Sequence, residues 1–331
     1  MISLSHKPAL RSAGSFRVLD LKPRVEDFAA AAIAGLSASP KAIAPKFFYD
    51  KRGSDFFNRI CETPEYYVTR TELRMLDDLG SEIAGLAGPA ASVIEFGCGS
   101  SDKIRRLLAA LDAPADYVAI DISYDQLLAS AEDIAIENPD VNVSAICADF
   151  SDAFALPPEL CDGGGRRLAF FPGSTIGNQT PEEAEGFLQL VRAVVGEGGV
   201  LLIGVDLKKD EAILNRAYND AAGETAGFNL NLLHRMRDEL GADIDPNNFT
   251  HRAFYNRALG RIEMHLVSNG AQRVRLNGYE FAFAAGETIH TECSYKYDLD
   301  EFAGLAHRAG FKVRRSWTDA ERLFSLHFLE V

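Results

Sequence analysis

A glycine-rich turn between two short apolar runs constrains the fold of this chain more than any other feature. Residues 92–103 read SVIEFGCGSSDK, which is an apolar run ending in the acid Glu95, then glycines, then a polar helix start. A second apolar run at residues 116–121 ends in Asp121. This order is typical of the strand–turn–helix–strand unit of a nucleoside-binding α/β domain. The glycines let the backbone approach the ligand, and the later acid binds ribose hydroxyls.

The polar residues of the turn favour one nucleoside cofactor over another. A dinucleotide fingerprint has a third glycine where this chain has Asp102, and a carboxylate there would repel a pyrophosphate. S-adenosylmethionine has no phosphate, so the acid-rich turn suits its ammonium and Lys103 suits its carboxylate. Asp149 and Phe150 follow the next apolar run, where an acid accepts from an adenine amino group and a ring covers the base. The sequence therefore predicts an S-adenosylmethionine site, although a turn with purely structural glycines has the same spacing.

Composition argues against several other classes of protein. The 331 residues carry a net charge of -14, which disfavours binding to a nucleic-acid backbone. The five scattered cysteines and seven histidines have neither disulfide-framework nor metal-ligand spacing. No apolar run is long enough for a membrane span, and residues 1–17 lack the apolar segment of a signal peptide. We expect a cytoplasmic monomer that acts on a small molecule, without metal, membrane or nucleic acid.

Helices and strands alternate from residue 70 to residue 206, which predicts a parallel, doubly wound sheet. Thr69 and Glu72 read as the capping box of the first helix. A closing helix and hairpin at residues 299–331 resemble the end of the class I methyltransferase fold. The predicted helices are 70–87, 102–111, 124–138, 181–195 and 299–309. The first predicted strand begins at residue 91, and the others cover 117–121, 141–147, 167–171, 199–206, 312–318 and 324–331.

The alternation stops after residue 206. Residues 210–240 read as a long helical stretch, and short strands follow at 251–254, 261–267, 273–276 and 295–297, with turn signals such as Asn277-Gly278. We therefore expect a class I, Rossmann-like α/β methyltransferase domain with a second, smaller α+β substrate domain. The expected boundaries are a loosely held segment at 1–20, a cofactor domain at 71–206 plus 298–331, and a substrate domain at 21–70 plus 207–297.

Several motifs, taken in order, resemble those of one family, the ergothioneine-pathway histidine Nα-methyltransferases. The resemblance covers about residues 25 to 331, and the combination is far more specific than any single motif. Val68 and Cys293 depart from the family pattern, but neither lies at a proposed ligand position. The motifs are YDKRGS at 49–54, PEYYVTRTE at 64–72, EFGCGSSDK at 95–103, GSTIGN at 173–178, RAYNDAAG at 216–223, FN at 228–229, ELGAD at 239–243 and TECSYK at 291–296.

The resemblance implies an enzyme that trimethylates the α-amino group of L-histidine, giving hercynine, with S-adenosyl-L-methionine as methyl donor. It also implies a role for each matching position. Tyr49 and Tyr66 would lie near the reacting amine. The implied cofactor set is Gly97, Lys103, Asp121, Asp149 and Phe150; the residues implied for the amino-acid carboxylate and backbone are Gly173, Asn178 and Tyr218; and the implied imidazole pocket is Met264, Glu292 and Ser294.

Three other functions remain open. A betaine-forming methyltransferase for another amino acid, such as tryptophan, would have an apolar pocket. Glu292 and Ser294 argue against it, because their spacing puts both on one face of a strand. A nicotinamide dehydrogenase would need the missing third glycine. A non-enzymatic cofactor-binding protein would have no use for the full set of substrate positions.

Overall fold

The chain folds into a nine-stranded sheet, a four-stranded sheet and a two-stranded ribbon, with helices packed around them. The structure is a computed structural model that describes residues 11–13, 16–23, 26–99, 101–150 and 156–331. Its helices are α1 (Phe28–Ser37), α2 (Lys51–Glu62), α3 (Tyr67–Ala87), α4 (Asp102–Ala110), α5 (Tyr124–Glu137), α6 (Pro181–Val195), α7 (Glu211–Ala217), α8 (Glu224–Leu240) and α9 (Leu299–Arg308). Its strands are β1 (Arg11–Ala13), β2 (Phe16–Asp20), β3 (Lys41–Ala42), β4 (Ser92–Phe96), β5 (Asp116–Asp121), β6 (Asn142–Cys147), β7 (Arg167–Phe171), β8 (Val200–Asp206), β9 (Phe249–Asn256), β10 (Arg261–Ser268), β11 (Gln272–Leu276), β12 (Tyr279–Phe283), β13 (Thr288–Tyr295), β14 (Lys312–Thr318) and β15 (Phe324–Glu330).

The large sheet has the strand order β1-β2-β6-β5-β4-β7-β8-β15-β14. Strands β2, β6, β5, β4, β7 and β8 pair in parallel, and β15 pairs antiparallel with both β8 and β14. From β4 the chain builds outward in one direction through β5 and β6 and in the other through β7 and β8. The carboxyl ends of β4 and β7 therefore border a crevice where doubly wound sheets bind ligands. The class I methyltransferase fold with its terminal hairpin is confirmed.

Helices cover both faces of this sheet, which explains why its central strands are apolar throughout. Every residue of β8 is buried. Successive side chains alternate between two cores, so Val93 packs into one and Ile94 into the other. No helix in the described ranges is both long and apolar enough to cross a membrane.

The N-terminal residues 16–20 were expected to belong to a loosely held segment, and this expectation is wrong. They form β2, which pairs in parallel with β6, and the side chains of Phe16, Val18 and Leu19 are buried. Residues 1–10 lie outside the described residues. A single five-residue strand has too short a pattern to be distinguished from a terminal tail.

The insertion after β8 builds a separate sheet with the order β3-β13-β10-β9. Strands β9, β10 and β13 are antiparallel, and β3 from the N-terminal region pairs in parallel with β13. The helical stretch predicted at 210–240 forms two helices, α7 and α8. The Asp220 carboxylate accepts from the backbone N–H groups of Glu224 and Thr225, both at 2.8 Å, and these hydrogen bonds stabilise the start of α8. The strand predicted at 295–297 was misplaced, since β13 precedes it.

Candidate functional site

The crevice at the end of β4 brings Gly97 and Phe150 together. Gly97 has a φ of +79°, and its N–H donates to the carbonyl of Ile120 at 2.8 Å. A Cβ at Gly97 would lie 3.9 Å from the Phe150 ring. A side chain there would therefore narrow the space between the turn and the ring.

Phe150 belongs to a group of aromatic rings below the crevice. Its ring centroid lies 6.1 Å from Phe96, 6.2 Å from Phe171 and 5.8 Å from Phe187. These contacts pack the Phe150 ring against three buried rings. Asp149 precedes it directly after β6, so both residues occupy the same edge of the sheet as the glycine turn.

Asp121 ends β5 beside the glycine turn. Its Oδ2 accepts from the backbone N–H of Cys98 at 3.0 Å and its Oδ1 from that of Ser123 at 2.8 Å. Burial raises the pKa of this carboxyl, against the lowering effect of those hydrogen bonds. Oδ2 also accepts weakly from the Cys98 Sγ at 3.7 Å, whereas Oδ1 retains capacity for another donor such as a ligand hydroxyl.

Glu95 lies beneath the turn rather than in it. Its side chain is buried and accepts from the Tyr117 hydroxyl at 2.5 Å. Burial raises the pKa of Glu95 to about 8, so the group is mainly protonated at neutral pH. Glu95 thus supports the turn and supplies little negative charge to a ligand.

Lys103 lies opposite the turn and is held by Glu72. The Lys103 Nζ lies 2.7 Å from Glu72 Oε2, and the Glu72 carboxylate also accepts from the N–H of Gly173 at 2.8 and 3.0 Å. A Cβ at Gly173 would lie 3.1 Å from the Lys103 Nζ. One buried carboxylate therefore fixes a candidate cofactor residue and a candidate substrate residue together.

The predicted capping box of Thr69 and Glu72 is wrong. Helix α3 starts at Tyr67, and the Thr69 hydroxyl donates instead to Cys61 Sγ at 3.3 Å. Glu72 lies on the buried face of the helix, four residues after Val68 and three before Met75, both of which are buried. That helical spacing within an apolar stripe was the signal that could have identified Glu72 as an internal acid.

The loop after β7 connects the large sheet to β13. Gly173 has a φ of +81°, and the Ser174 hydroxyl accepts from the N–H of Asp206 at 2.9 Å. At the next turn, a Cβ on Gly177 would lie only 2.7 Å from the carbonyl oxygen of Tyr295. The half-buried Asn178 ends this turn, so Gly173 and Asn178 both lie between the two sheets.

The candidate imidazole residues share one face of the smaller sheet. Met264 on β10 lies directly opposite Glu292 on β13, and Ser294 follows on the same face. Burial raises the pKa of the Glu292 carboxyl to about 7, against the opposing charge of Lys296. Among the described residues, none forms a hydrogen bond or ion pair with this carboxylate. A buried, unpaired acid indicates a ligand with a donor group.

Tyr218 and Ser294 meet a buried lysine. The Tyr218 hydroxyl lies 3.0 Å from Ser294 Oγ, and the Lys296 Nζ lies 3.1 Å from the former and 2.8 Å from the latter. Lys296 also pairs with Asp206 at 2.7 Å. Burial opposes ionisation of Asp206, but the nearby lysines Lys296 and Lys209 hold its pKa below the ordinary value. Tyr218, which the resemblance implies for the amino-acid carboxylate and backbone, therefore also contacts the candidate imidazole residue Ser294.

Tyr49 and Tyr66 line the same cleft. Their rings both contact Phe57, at 6.0 and 6.5 Å, and Tyr66 also contacts Tyr218 at 6.2 Å. The Tyr49 ring is 43% exposed and Tyr66 is buried, at 8%. An ordinary phenol is already neutral at physiological pH, and burial raises the pKa of the Tyr66 hydroxyl further.

Four charged residues that organise the site escaped prediction from the sequence. Arg70 donates to backbone carbonyls of the turn that carries Tyr66. The Glu72–Lys103 and Asp206–Lys296 ion pairs join residues that are far apart along the chain, so sequence spacing gives no signal for these two pairs. The four residues are Arg70, Glu72, Asp206 and Lys296.

A group of possible metal ligands lies apart from the cleft residues. Glu263, His265 and His290 place one ligand atom each within 4.8 Å of the others. The Arg261 guanidinium donates to Glu263 at 2.8 Å, and the two imidazoles stack with centroids 4.8 Å apart. Because Arg261 already neutralises the carboxylate, we interpret the group as an ionic network.

Comparisons with known proteins agree on one family. Residues 28–331 match the family model described as histidine-specific methyltransferase, dependent on S-adenosylmethionine. The chain is 41% identical to the histidine N-alpha-methyltransferase of Mycolicibacterium smegmatis over 88% of this chain and 91% of that one. It is 27% identical to ergothioneine biosynthesis protein 1 of Neurospora crassa, over 88% and 33%. It is also 27% identical to the 4-dimethylallyltryptophan N-methyltransferase of Claviceps purpurea, over 87% and 90%.

Proposed function

Because the chain belongs to the family of S-adenosylmethionine-dependent, histidine-specific methyltransferases, we propose that it trimethylates the α-amino group of L-histidine to give hercynine. The observation that carries this proposal is the buried, unpaired Glu292 carboxylate beside Ser294. A small ring with both a donor and an acceptor matches this pair of groups. The product would be the betaine from which ergothioneine is built.

The residues around the glycine turn fit S-adenosylmethionine. We infer that Asp121 binds the ribose hydroxyls, that Phe150 covers the adenine and that Lys103 meets the carboxylate. We also infer that Asp149, which follows β6 at the same edge of the sheet, accepts from the adenine amino group. The cofactor supplies a methyl group on a positively charged sulfur.

The protein's part in the reaction is to position a neutral amine. Each transfer forms a nitrogen–carbon bond and breaks a sulfur–carbon bond. One ammonium proton leaves to water after the first transfer and one after the second, whereas the third transfer gives a quaternary ammonium that has no proton to lose. Tyr49 and Tyr66 are neutral phenols, so neither is a strong base, but each can hold that water. Their aromatic faces would stabilise the growing methylammonium by about 0.5–2 kcal/mol.

We further propose that the substrate binds between two domains with the boundaries expected from the sequence. The separate four-stranded sheet, in which β3 from the N-terminal region pairs with β13, supports a substrate domain at 21–70 plus 207–297. The rest of the described chain, apart from the N-terminal strands, would form the cofactor domain.

The competing activity is methylation of a tryptophan-like amino acid, as the name of the Claviceps relative describes. An indole offers one N–H and no lone pair, so it would leave the Ser294 hydroxyl without a partner. The buried acid and hydroxyl favour histidine.

Mass spectrometry of the reaction products tests the proposal. Purified protein is incubated with S-adenosylmethionine and L-histidine, L-tryptophan or no amino acid. We expect three successive methyl additions to histidine and none to tryptophan. Methylation of tryptophan in preference to histidine, or methylation of neither, would overturn the proposal.

A further inference from the structure

Lys296 has all of its hydrogen-bonding capacity committed inside the protein. An ammonium group has three donors and no acceptor. The three partners of Lys296 Nζ are Asp206 Oδ2 at 2.7 Å, Ser294 Oγ at 2.8 Å and the Tyr218 hydroxyl at 3.1 Å. The residue is 2% exposed, so water does not compete for these donors. Lys296 can therefore contact a substrate only through its neighbours.

These contacts determine the direction of the hydroxyl protons. Ser294 and Tyr218 each accept from Lys296 and lie 3.0 Å from each other, so one hydroxyl must donate to the other. A phenol is the more acidic group and the better donor, so Tyr218 donates to Ser294. The Ser294 oxygen then has both lone pairs occupied. Its own proton is left to donate, on the strand face that it shares with Glu292.

We propose that Lys296, held by Asp206, is a positioning residue that makes Ser294 an obligatory donor and so selects one neutral tautomer of the substrate imidazole. This inference rests on the proposed function and specifies its substrate form. The selected ring has its N–H directed to Glu292 and its lone pair directed to Ser294. The opposite tautomer would place an N–H against Ser294 and a lone pair against the Glu292 carboxylate.

An imidazolium ring is disfavoured by the same arrangement, because both of its nitrogens are donors. Ser294 has no lone pair left to accept the second N–H. The pocket thus distinguishes forms of one substrate as well as different substrates. The titratable groups near Glu292 and Ser294 are Tyr49, Tyr66, Asp206, Tyr218, Cys293 and Lys296.

Nitrogen NMR of bound, ring-labelled L-histidine measures the tautomer directly. The spectrum is taken above the imidazole pKa of about 6.5, where the free ring exchanges rapidly between tautomers and gives averaged signals. In the wild-type complex we expect one pyrrole-type and one pyridine-type nitrogen without averaging. Two pyrrole-type signals, or averaged signals in the bound state, would overturn the inference.

Matched variants separate this role from general support of the fold. Lys296→Met frees a Ser294 lone pair, so we expect averaged nitrogen signals and a histidine KM raised about tenfold, with a smaller change in kcat. Lys209→Met is the control, because Lys209 pairs with the same Asp206 carboxylate but has no contact with Ser294 or Tyr218. It should retain the wild-type spectrum. Equal spectra for the two variants would contradict the role of Lys296.

Ser294→Ala provides a second route if Lys296→Met does not fold. Removing the donor should shift the pyridine-type signal toward that of an unbonded nitrogen, and an unmoved signal would refute Ser294 as the donor. Calorimetry on the wild-type protein distinguishes failure of the proposed function from failure of this inference. If L-histidine does not bind at all, the proposed function fails; if it binds in the wrong tautomer, only this inference fails.

Discussion

At the scale of single residues, the candidate site depends on carboxyl groups that have been given different charge states by their surroundings. Glu95 and Glu292 have pKa values raised by burial to about 8 and about 7, whereas the lysines around Asp206 keep the pKa of that group low. Glu95 supports a turn, Asp206 anchors lysines, and Glu292 is left to respond to a ligand. Each role follows from which donors are within reach.

Replacing Glu292 tests its role in substrate recognition. We expect Glu292→Ala to weaken histidine binding about tenfold or more, since a hydrogen bond to a charged group contributes roughly 1.5–3 kcal/mol. Cofactor affinity should change little, and relative activity toward aromatic amino acids should rise. Calorimetry with each ligand measures both effects. Unchanged histidine affinity in a folded variant would exclude Glu292 as the imidazole partner.

The raised pKa of Glu292 also predicts a pH dependence of binding. Only the ionised carboxylate is a full acceptor, so histidine affinity should fall as pH drops through about 7, where the group takes up a proton. Glu292→Gln cannot titrate and should lack this component. The ratio of the two dissociation constants, measured at each pH, cancels the substrate's own titration. A constant ratio between pH 6 and 8 would contradict the assignment.

Asp121 should control cofactor affinity without affecting the substrate pocket. Asp121→Ala removes two acceptors, so we expect a loss of about a hundredfold or more in affinity for S-adenosylmethionine. Asp121→Asn keeps one acceptor, so its affinity for S-adenosylmethionine should lie between those of the wild type and Asp121→Ala. Calorimetry measures this affinity, and a wild-type value in a folded Asp121→Ala protein would exclude Asp121 as the ribose-binding residue.

Residues at strand ends could be placed from the sequence, because the sheet geometry determines where they lie. Gly97, Asp121 and Phe150 meet for that reason. Glu72 and Lys296 could not be placed, because their roles depend on partners distant in sequence. In the sequence alone, a buried acidic residue cannot be distinguished from a surface one unless its partner is known.

At the scale of elements, the turn at Thr175–Asn178 links the two sheets through a close contact with β13. Gly177→Ala would place a methyl 2.7 Å from the Tyr295 carbonyl and push these elements apart. We expect about a ten- to hundredfold loss in kcat/KM for histidine, since small displacements of bound reactants are costly. Steady-state kinetics measures it.

Gly186→Ala on α6 is the matched control for this change. A Cβ there meets no atom within 4 Å. Alanine in a helix should stabilise the protein by up to about 1 kcal/mol and leave kinetics unchanged. Similar kinetics for both variants would show that the turn tolerates displacement.

Elements with strong local signals were predicted with accurate bounds. Helix α6 starts where expected because Thr180 and Glu183 form a capping box, and the ribbon turn at Asn277-Gly278 has the two positive φ angles of a tight hairpin. The start of α3 and the position of β13 were missed. Their ends are set by tertiary contacts, since neither has a side-chain cap or a tight turn at the misjudged end.

At the scale of the whole molecule, a buried histidine makes stability sensitive to acid. His327 on β15 lies between the hydroxyls of Ser316 and Ser325, at 2.8 and 2.9 Å, and burial lowers its pKa to about 3. The unfolded chain takes up a proton below about 6.5 and the folded chain does not. The contribution of neutral His327 to the free energy of unfolding is therefore complete above about pH 6.5 and is lost as the pH falls from about 6.5 toward 3.

We expect His327→Gln to reduce the loss of unfolding free energy on acidification by up to about 1.4 kcal/mol for each pH unit below about 6. His307→Gln, at an exposed position on α9, is the control and should keep the wild-type slope. Urea unfolding at several pH values gives the comparison. Identical slopes for the two variants would assign the acid sensitivity to other groups.

The anchoring of Asp206 limits how this enzyme can be recombined with its relatives. The carboxylate ends β8, and its partners Tyr67, Lys209 and Lys296 come from three separate chain segments. A chimaera that takes β13 and Lys296 from one parent and β8 from another keeps a neutral interior only if both parents supply matching charges. Crossover points that separate residues 206 and 296 should therefore yield few folded proteins. New specificity is more accessible through point changes on the β13 face, which leave this ion pair intact.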